Sequence, residues 1–145
     1  MKVISSFIEL DTGEGIALYD IMSDLKNAAV NSGVSNGFVT VTSQHTTTAI
    51  AINENEERLI DDVKSFLSRL IPATDKYLHN DIALRNCPDD EPENAHSHLA
   101  AMLLGSSEVI SLVDGELVLG QYQSVMLYEL DGPRSRKINV QVFGE

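Results

Sequence analysis

The stretch GFVTVTSQHTTTAIAINE, residues 37–54, carries the pattern on which the predicted fold depends. Gly37–Thr42 alternates apolar and polar residues as a strand does, and after a break at residues 44–45 the strand pattern resumes and continues through Ile52. The second half places an amide, an imidazole, three hydroxyls and a carboxylate in one run. A strand that only had to pack would favour Val, Ile and aromatic residues. We therefore predict that residues 44–54 form one wall of an active or binding site.

Length and composition are those of one ordinary globular domain. The chain has 145 residues, 43% of them hydrophobic, which is enough to bury a core without disulfides or a structural metal. We expect a single domain over residues 1–145, in which a bound metal would be functional. The only cysteine, Cys87, cannot form an intramolecular disulfide, and the N-terminus lacks the apolar core of a signal peptide. A cytoplasmic location is expected.

The charge distribution argues against two classes of partner. The formal net charge of -12 disfavours a nucleic-acid surface, because neutralising phosphates requires clustered Lys and Arg. No apolar run approaches the roughly 18 residues of a membrane span. We therefore expect neither nucleic acid nor membrane as a partner. Arg134, Arg136 and Lys137 are nevertheless close in sequence and can form a local basic pocket.

Helical and strand patterns alternate along the rest of the chain. Helices are predicted over 21–31, 54–70 and 94–104, with Asp20 and Asn94 as N-caps of the first and third. The predicted strands outside the opening stretch are 2–10, 16–19, 109–113, 116–119, 123–130 and 136–143. Strands at both ends with helices between them indicate an α+β domain.

A long segment without periodicity, Pro72–Glu93, separates the second and third helices. Structureless connections longer than about 12–15 residues are uncommon in compact domains and are usually functional or disordered. This segment contains Tyr77, His79, Asn80 and Asp81 rather than the Ser, Gly, Gln and Lys of disordered linkers. We therefore predict that it contributes to function.

All four histidines lie in the middle third of the chain, at His45, His79, His96 and His98. A catalytic zinc site commonly uses three protein ligands and leaves one position open, and our preferred set is His45, His79 and His98. On a helix that starts near Asn94, His96 and His98 point about 200° apart and cannot both face one ion. They could act together if the helix begins later. The alternative is that the histidines are ordinary hydrogen-bonding side chains.

Two carboxylates, Glu54 and Asp90, are candidate general bases, or partners that orient a ligating imidazole. Glu54 could equally be a carboxylate favoured at a helix start. Cys87 could be a nucleophile or soft ligand, although free cysteine usually packs as a small hydrophobe.

Several residues are candidates for binding an anionic substrate. Thr46 and Thr47 can donate hydroxyls, and Arg134 or Arg136 can clamp an oxyanion with two hydrogen bonds. Asn53 belongs to the same candidate set. The threonines are also good strand formers, and the basic residues could simply solubilise a hairpin end, so both explanations stay open.

A series of motifs runs in order along nearly the whole chain. They are Gly37–Val41 leading into His45–Thr47, then Ile52–Glu54, Tyr77–Asp81, Asn94–Leu99, Leu103–Ser107, Leu119–Gln123 and Glu129–Arg134. Their order and spacing resemble the small YjbQ-like proteins, a family known as secondary thiamine-phosphate synthases. One departure is that Gly120–Gln123 reads Gly-Gln-Tyr-Gln where the family usually shows Gly-Thr-Trp-Gln, which puts the identity of the substrate in question.

The resemblance implies a fold, an assembly and a site. The fold is α+β, with two packed, mostly antiparallel sheets and about three helices, and the assembly is a homotrimer around a threefold axis. Histidines matching His45, His79 and His98 would hold a metal, and the position of His96 varies in the family. The implied activity is a weak joining of the pyrimidine and thiazole halves of thiamine phosphate.

We therefore expect a metal-dependent enzyme, a transferase of the thiamine-phosphate synthase type, acting on a phosphorylated small molecule. The expected cofactor is a divalent ion, with zinc preferred and magnesium as the alternative for a diphosphate substrate. A non-catalytic trimer that binds a metal or metabolite is the second hypothesis. A purely structural oligomer is the third.

Overall fold

The alternating patterns become eight strands and three α-helices in a computed structural model that describes all residues 1–145. The strands are β1 Lys2–Asp11, β2 Gly15–Asp20, β3 Gly37–Ser43, β4 Thr48–Asn53, β5 Ser107–Val113, β6 Glu116–Leu117, β7 Ser124–Gly132 and β8 Ser135–Gly144. The helices are α1 Met22–Ser32, α2 Glu57–Leu70 and α3 Ala95–Leu104. The predicted α+β class is confirmed.

Two antiparallel sheets organise the strands. The larger sheet has the order β1-β8-β3-β5-β6, and the smaller sheet has the order β2-β7-β4. β3 belongs to the first sheet and β4 to the second, so the chain crosses between the sheets over residues 44–47. The polar run that stands out in the sequence is therefore the crossover between the two sheets.

The main core lies between the sheets. Alternate residues of β3 and β8, such as Val39, Val41 and Val140, face inward and meet Ile50 of β4 and Leu25 of α1. These side chains are fully buried, and each such burial stabilises the fold by about 1.5–3 kcal/mol. The period-two pattern seen in the sequence is therefore the inward and outward alternation of the larger sheet.

A second core covers the other face of the smaller sheet. Met126 and Tyr128 of β7 pack there with Ala49 of β4, Leu67 of α2 and Ala100 of α3. β7 is consequently buried on both faces, which explains why its sequence is almost continuously apolar rather than alternating. No helix combines the length and the apolar character that crossing a membrane requires.

Helix starts differ in detail from the sequence-based prediction. α2 begins at Glu57 rather than Glu54, because the side chain of Glu56 accepts hydrogen bonds from the amides of Arg58 and Leu59 and forms the N-cap. Glu54 is therefore not a helix-start carboxylate. Asn94 occupies the N-cap position of α3, as predicted, but its side chain makes no capping hydrogen bond.

A residue from the long loop supplies that cap instead. The side-chain oxygen of Asn80 accepts a hydrogen bond from the amide of Ala95 at 3.1 Å. Two short 3₁₀ turns, Leu78–Asn80 and Ile82–Leu84, give the loop local structure that has no helical or strand periodicity. The loop is thus attached to the start of α3.

Candidate active site

A polar cleft of about 630 Å³ opens where the crossover, the start of α3 and the β7–β8 turn meet. Apart from two prolines, every lining residue is polar or charged: Gln44, His45, Thr46, Thr47, Glu91, Pro92, Asn94, His98, Asp131, Pro133, Arg134, Ser135 and Arg136. A smaller recess of about 450 Å³ shares His45, Thr46 and His98 with the cleft. Three segments that are far apart in sequence thus build one polar site.

A buried ion pair lies beneath the cleft. Arg136 donates from Nε to Oε2 of Glu129 and from Nη2 to Oε1, both at 2.6 Å, and Glu129 is fully buried. Glu129 also accepts from the hydroxyl of Thr12 at 2.7 Å and the amide of Asp131 at 2.8 Å. Burial alone would raise the pKa of Glu129, but the hydrogen bonds from Arg136, Thr12 and Asp131 hold it below its usual value. Glu129 is therefore ionised at neutral pH.

The crossover is held to the sheets by this pair. Nη2 of Arg136 also donates to the hydroxyl of Thr47 at 2.9 Å, and the hydroxyls of Ser43 and Thr48 are hydrogen-bonded to each other. Thr47 and Thr48 are buried, whereas Thr46 is exposed to the cleft. Of the threonines in the run, Thr46 alone has a hydroxyl that faces solvent.

Arg134 has a different environment from Arg136. It is 42% exposed and donates from Nη2 to the carboxylate of Asp131 at 2.9 Å. The same carboxylate oxygen accepts from the amide nitrogen of Asn94 at 2.7 Å. The side-chain oxygen of Asn94 is buried and has no partner. Arg134 is therefore the more accessible of the two predicted anion clamps.

His79 and His98 lie side by side, with ring centroids 4.7 Å apart and edge-to-face geometry. Nε2 of His79 is buried and has no hydrogen-bond partner, which is unusual for a buried polar atom. Burial lowers the pKa of His98, and the neighbouring His79 lowers it further. The guanidinium of Arg85 anchors the loop through the carbonyl of His79 at 2.8 Å. The two adjacent imidazoles fit a pair of metal ligands.

His45 lines both the cleft and the adjoining recess. Its Nε2 accepts a hydrogen bond from the backbone amide of Lys137 at 2.8 Å, so the lone pair of this nitrogen is already engaged. Burial lowers the pKa of His45, and Arg136 lowers it further. No three His, Cys, Asp or Glu side chains are grouped closely enough to hold one ion. In this geometry His45 does not join the pair formed by His79 and His98.

The model of the UPF0047 YjbQ-like protein family matches residues 6–145. The chain belongs to the UPF0047 YjbQ-like family. A UPF0047 protein of Methanothermobacter thermautotrophicus is 41% identical over 145 residues, which cover 100% of this chain and 95% of that protein. YugU of Bacillus subtilis, also a UPF0047 protein, is 26% identical over 94% of this chain and 97% of its own length.

Solved structures agree with the family assignment. A crystal structure of a YbjQ-like protein of unknown function from Sulfolobus solfataricus superposes with a TM-score of 0.90 and 33% identity, covering 99% of both chains. A hypothetical protein of Aeropyrum pernix gives a TM-score of 0.89 and 32% identity, covering 98% of this chain and 99% of that one. Family membership thus establishes the YjbQ-like fold and leaves the reaction to be argued from the site.

Four predicted site residues do not line the cleft of this YjbQ-like chain: Asn53, Glu54, Asp90 and His79. The ring of His79 instead packs edge-to-face against His98, which does line the cleft. Asn53 and Glu54 are exposed at the far end of β4, about 17 Å along the strand from Thr48. Asp90 is exposed on the long loop, and its neighbour Glu91 lines the cleft instead.

His96 and Tyr122 also lie outside the cleft. His96 lines a separate recess that includes Leu67 and Ile71, in agreement with the opposite directions predicted for His96 and His98. Tyr122 is 67% exposed and lines none of the major cavities. The residue most clearly missed by sequence reasoning is Glu129, whose only signal was a single charge in the otherwise apolar run VMLYEL.

Proposed function

We propose that the protein is an enzyme that acts on a phosphorylated small molecule held in the polar cleft. The observation that carries this proposal is the lining of the cleft, which offers Thr46, His45 and Arg134 and contains no apolar side chain except the prolines. Hydroxyl, imidazole and guanidinium groups are suited to phosphoryl oxygens. An apolar ligand would desolvate these groups without replacing their hydrogen bonds.

A transferase of the thiamine-phosphate synthase type is the reaction that best combines this site with the family resemblance. In such a reaction a pyrimidine diphosphate and a thiazole phosphate are joined, and diphosphate leaves with the negative charge that develops. Donors fixed before the reaction stabilise such charge without reorganising. Arg134, at the rim of the cleft, would bind the phosphate oxygens, and the buried Arg136 would hold the crossover in position.

The proposal includes a divalent ion held by His79 and His98. The buried, unpartnered Nε2 of His79 and the neutral state of His98 fit this role. Two imidazole nitrogens favour zinc over magnesium, which prefers oxygen ligands. When bound, the ion would supply positive charge beside the phosphoryl oxygens. Metal ligation by His45 would require a rearrangement, because its Nε2 is occupied.

The cleft contains few groups that could transfer a proton. The carboxylates that reach the cleft are Glu91 and Asp131, and Asp131 is tied to Arg134 and Asn94. The proposed bases Glu54 and Asp90 do not line this cleft, and in the proposed trimer they would serve the cleft of another chain. The shortage of carboxylate bases in the cleft favours a second candidate, a trimer that binds a metal or a phosphorylated metabolite without turnover.

One set of measurements separates these candidates. Thermal unfolding is followed with and without inorganic diphosphate, in the presence of zinc, because a ligand that binds the native state raises the melting temperature. Turnover is then measured with a pyrimidine diphosphate and a thiazole phosphate, together with complementation of a thiamine auxotroph. A raised melting temperature with turnover supports the enzyme. Stabilisation without turnover supports the binding protein, and no stabilisation contradicts both.

Arg134→Gln and Arg58→Gln provide a matched pair for this test. Arg134 lines the cleft, whereas Arg58 is exposed on α2 away from it. We expect diphosphate affinity to fall about tenfold in the first variant, equivalent to about 1.4 kcal/mol, and to stay unchanged in the second. Equal losses in both would indicate general electrostatic attraction rather than a site.

A further inference from the structure

The imidazole of His45 continues the hydrogen-bonding ladder of a strand. β3 pairs with β8 as far as Ser43 opposite Ile138. Beyond this pair, the amide of Gln44 still donates to the carbonyl of Lys137 at 3.2 Å. The amide of Lys137 donates to Nε2 of His45 at 2.8 Å. The ring therefore takes the place of a backbone carbonyl, and its position is fixed by the edge of the sheet.

This contact determines which ring nitrogen carries the proton. A backbone amide can only donate, so Nε2 must offer a lone pair. A neutral imidazole has one N–H and one acceptor nitrogen, which places the proton on Nδ1. Nδ1 has no partner in the protein and is not among the buried unpartnered atoms. Because His45 lines the cleft, this N–H is available to a bound ligand.

We propose that His45 is a neutral hydrogen-bond donor to an anionic oxygen of the ligand, and not a metal ligand. Ligation through Nδ1 would need a proton on Nε2, which would then face the Lys137 amide with two donors opposed. Ligation through Nε2 would break the hydrogen bond to the strand. An ion at His79 and His98 would therefore complete its coordination with water or ligand oxygen. The donor role rests on the proposed function, because it requires an anionic ligand.

Two further donors complete the cradle. The hydroxyl of Thr46 is exposed to the cleft, and Arg136 keeps Nη1 without a protein partner while Nε and Nη2 bind Glu129 and Thr47. Burial and the charge of Arg136 lower the pKa of His45, which keeps the imidazole neutral. A neutral imidazole held in one tautomer can polarise an oxygen through its N–H without transferring the proton. The cradle thus joins a hydroxyl, an imidazole and a guanidinium.

Nitrogen-15 NMR of the full-length protein tests the tautomer directly, because protonated and unprotonated imidazole nitrogens have well separated chemical shifts. At neutral pH we expect His45 to show a protonated Nδ1 and an unprotonated Nε2. Zinc should shift the signals of His79 and His98 and leave this pattern of His45 unchanged. A protonated Nε2, or a His45 nitrogen that shifts with zinc as those of His79 and His98 do, would overturn the proposal.

Variants at His45 test the donor role by calorimetry with zinc and with inorganic diphosphate. His45→Gln keeps a carbonyl that can accept from Lys137 and an adjacent N–H donor, so diphosphate affinity should stay within about threefold of wild type. His45→Ala should lose about tenfold or more in diphosphate affinity. Both should bind zinc as wild type does, whereas His79→Ala should not. Zinc affinity lost in His45→Gln as strongly as in His79→Ala would contradict the proposal.

The remaining outcomes separate this inference from the proposed function. If the wild-type protein binds no diphosphate, the proposed function and the donor role both fail. If it binds diphosphate but no zinc, the metal part of the proposed function fails, and the tautomer and the His45→Ala affinity still decide the role of His45. His96→Gln, in a recess away from the cleft, serves as the folding control for a histidine replacement.

Discussion

Two polar clusters each contribute side chains to the lining of the cleft and differ in how completely their buried groups are paired. Beneath the crossover, Glu129 accepts hydrogen bonds from Arg136, Thr12 and the Asp131 amide, and no carboxylate oxygen lacks a partner. On the α3 side, Nε2 of His79 and the side-chain oxygen of Asn94 are buried without partners. Fully paired buried groups rigidify a fold, whereas unpaired ones cost free energy and call for another explanation. The first cluster thus stabilises the fold at the crossover, and the second contains buried groups that a bound ion could pair.

The largest expected effect is the loss of one partner of the buried pair. Arg136→Leu leaves the Glu129 carboxylate buried without its charge partner and should reduce the free energy of unfolding by about 3–5 kcal/mol. Urea unfolding at neutral pH measures the change. Arg134→Leu is the matched control, because its ion pair with Asp131 is exposed and should contribute no more than about 1 kcal/mol.

The double variant Glu129→Leu with Arg136→Leu tests whether the two residues act as a pair. Removing both charges takes away the uncompensated carboxylate, so the double variant should be more stable than Arg136→Leu alone. If it is less stable than the single variant, the two residues do not act as a pair.

Replacing His79 in the second cluster should change metal affinity rather than stability. His79→Leu removes a buried nitrogen that has no partner, so the metal-free protein should keep its stability or gain slightly. Zinc affinity should fall about 100-fold, equivalent to about 2.7 kcal/mol, as measured by calorimetry. His96→Leu is a close control, because Nδ1 of His96 is also buried and unpartnered but lies outside the cleft. A large loss of metal-free stability in His79→Leu would make His79 structural.

Acid should weaken the paired cluster. The folded-state pKa of Glu129 is held below its usual value, so the stability it contributes is present above the ordinary carboxyl pKa of 4.5 and is lost as the pH falls through the folded-state value. Wild type should therefore lose more stability than Glu129→Gln when the pH is lowered below 4.5. Urea unfolding across this range measures the difference. Parallel curves for the two proteins would assign the acid sensitivity to other groups.

The smallest expected effect concerns the attachment of the loop to α3. Asn80→Ala removes the acceptor of the Ala95 amide and should cost about 1 kcal/mol, typical of a lost N-cap. Hydrogen exchange at Ala95 should accelerate. Asn86→Ala, on the same loop and exposed, should leave that exchange unchanged. If both variants behave alike, the hydrogen bond from Asn80 does not hold the helix start.

Most of the fold could be predicted from the sequence because helical and strand periodicity are local properties. The strands and helices were therefore assigned within a few residues at most ends. The N-caps of the helices are harder to predict from the sequence. α2 begins at Glu57, capped by Glu56, rather than at Glu54. The start of α3 takes its side-chain capping hydrogen bond from Asn80, fifteen positions before Ala95, which no local pattern could indicate. The order of strands in the two sheets depends on long-range pairing and was likewise outside the reach of local patterns.

The site could be predicted only in part for the same physical reason. The clustering of histidines predicted one set of His45, His79 and His98. The structure places His79 and His98 side by side, because the loop that contains His79 is attached to the start of α3. The partner of His45 is a backbone amide 92 positions away, and backbone partners leave no mark in residue type. Glu129 was missed because the sequence does not reveal whether a carboxylate in an apolar strand faces solvent or a buried arginine.

The crossover depends on β8, a strand about ninety positions further along the chain. β8 provides the guanidinium of Arg136 and the amide of Lys137, and it also pairs with β1 from the opposite terminus. A nascent chain that still lacks β8 can bury part of its helices but has neither the anchor of Thr47 nor the partner of His45. Since pairing of distant segments is slow, the crossover should reach its final position late in folding, when β8 has paired with β3. The proposed ligand cradle at His45 and Thr46 would therefore form only in a chain whose larger sheet is complete.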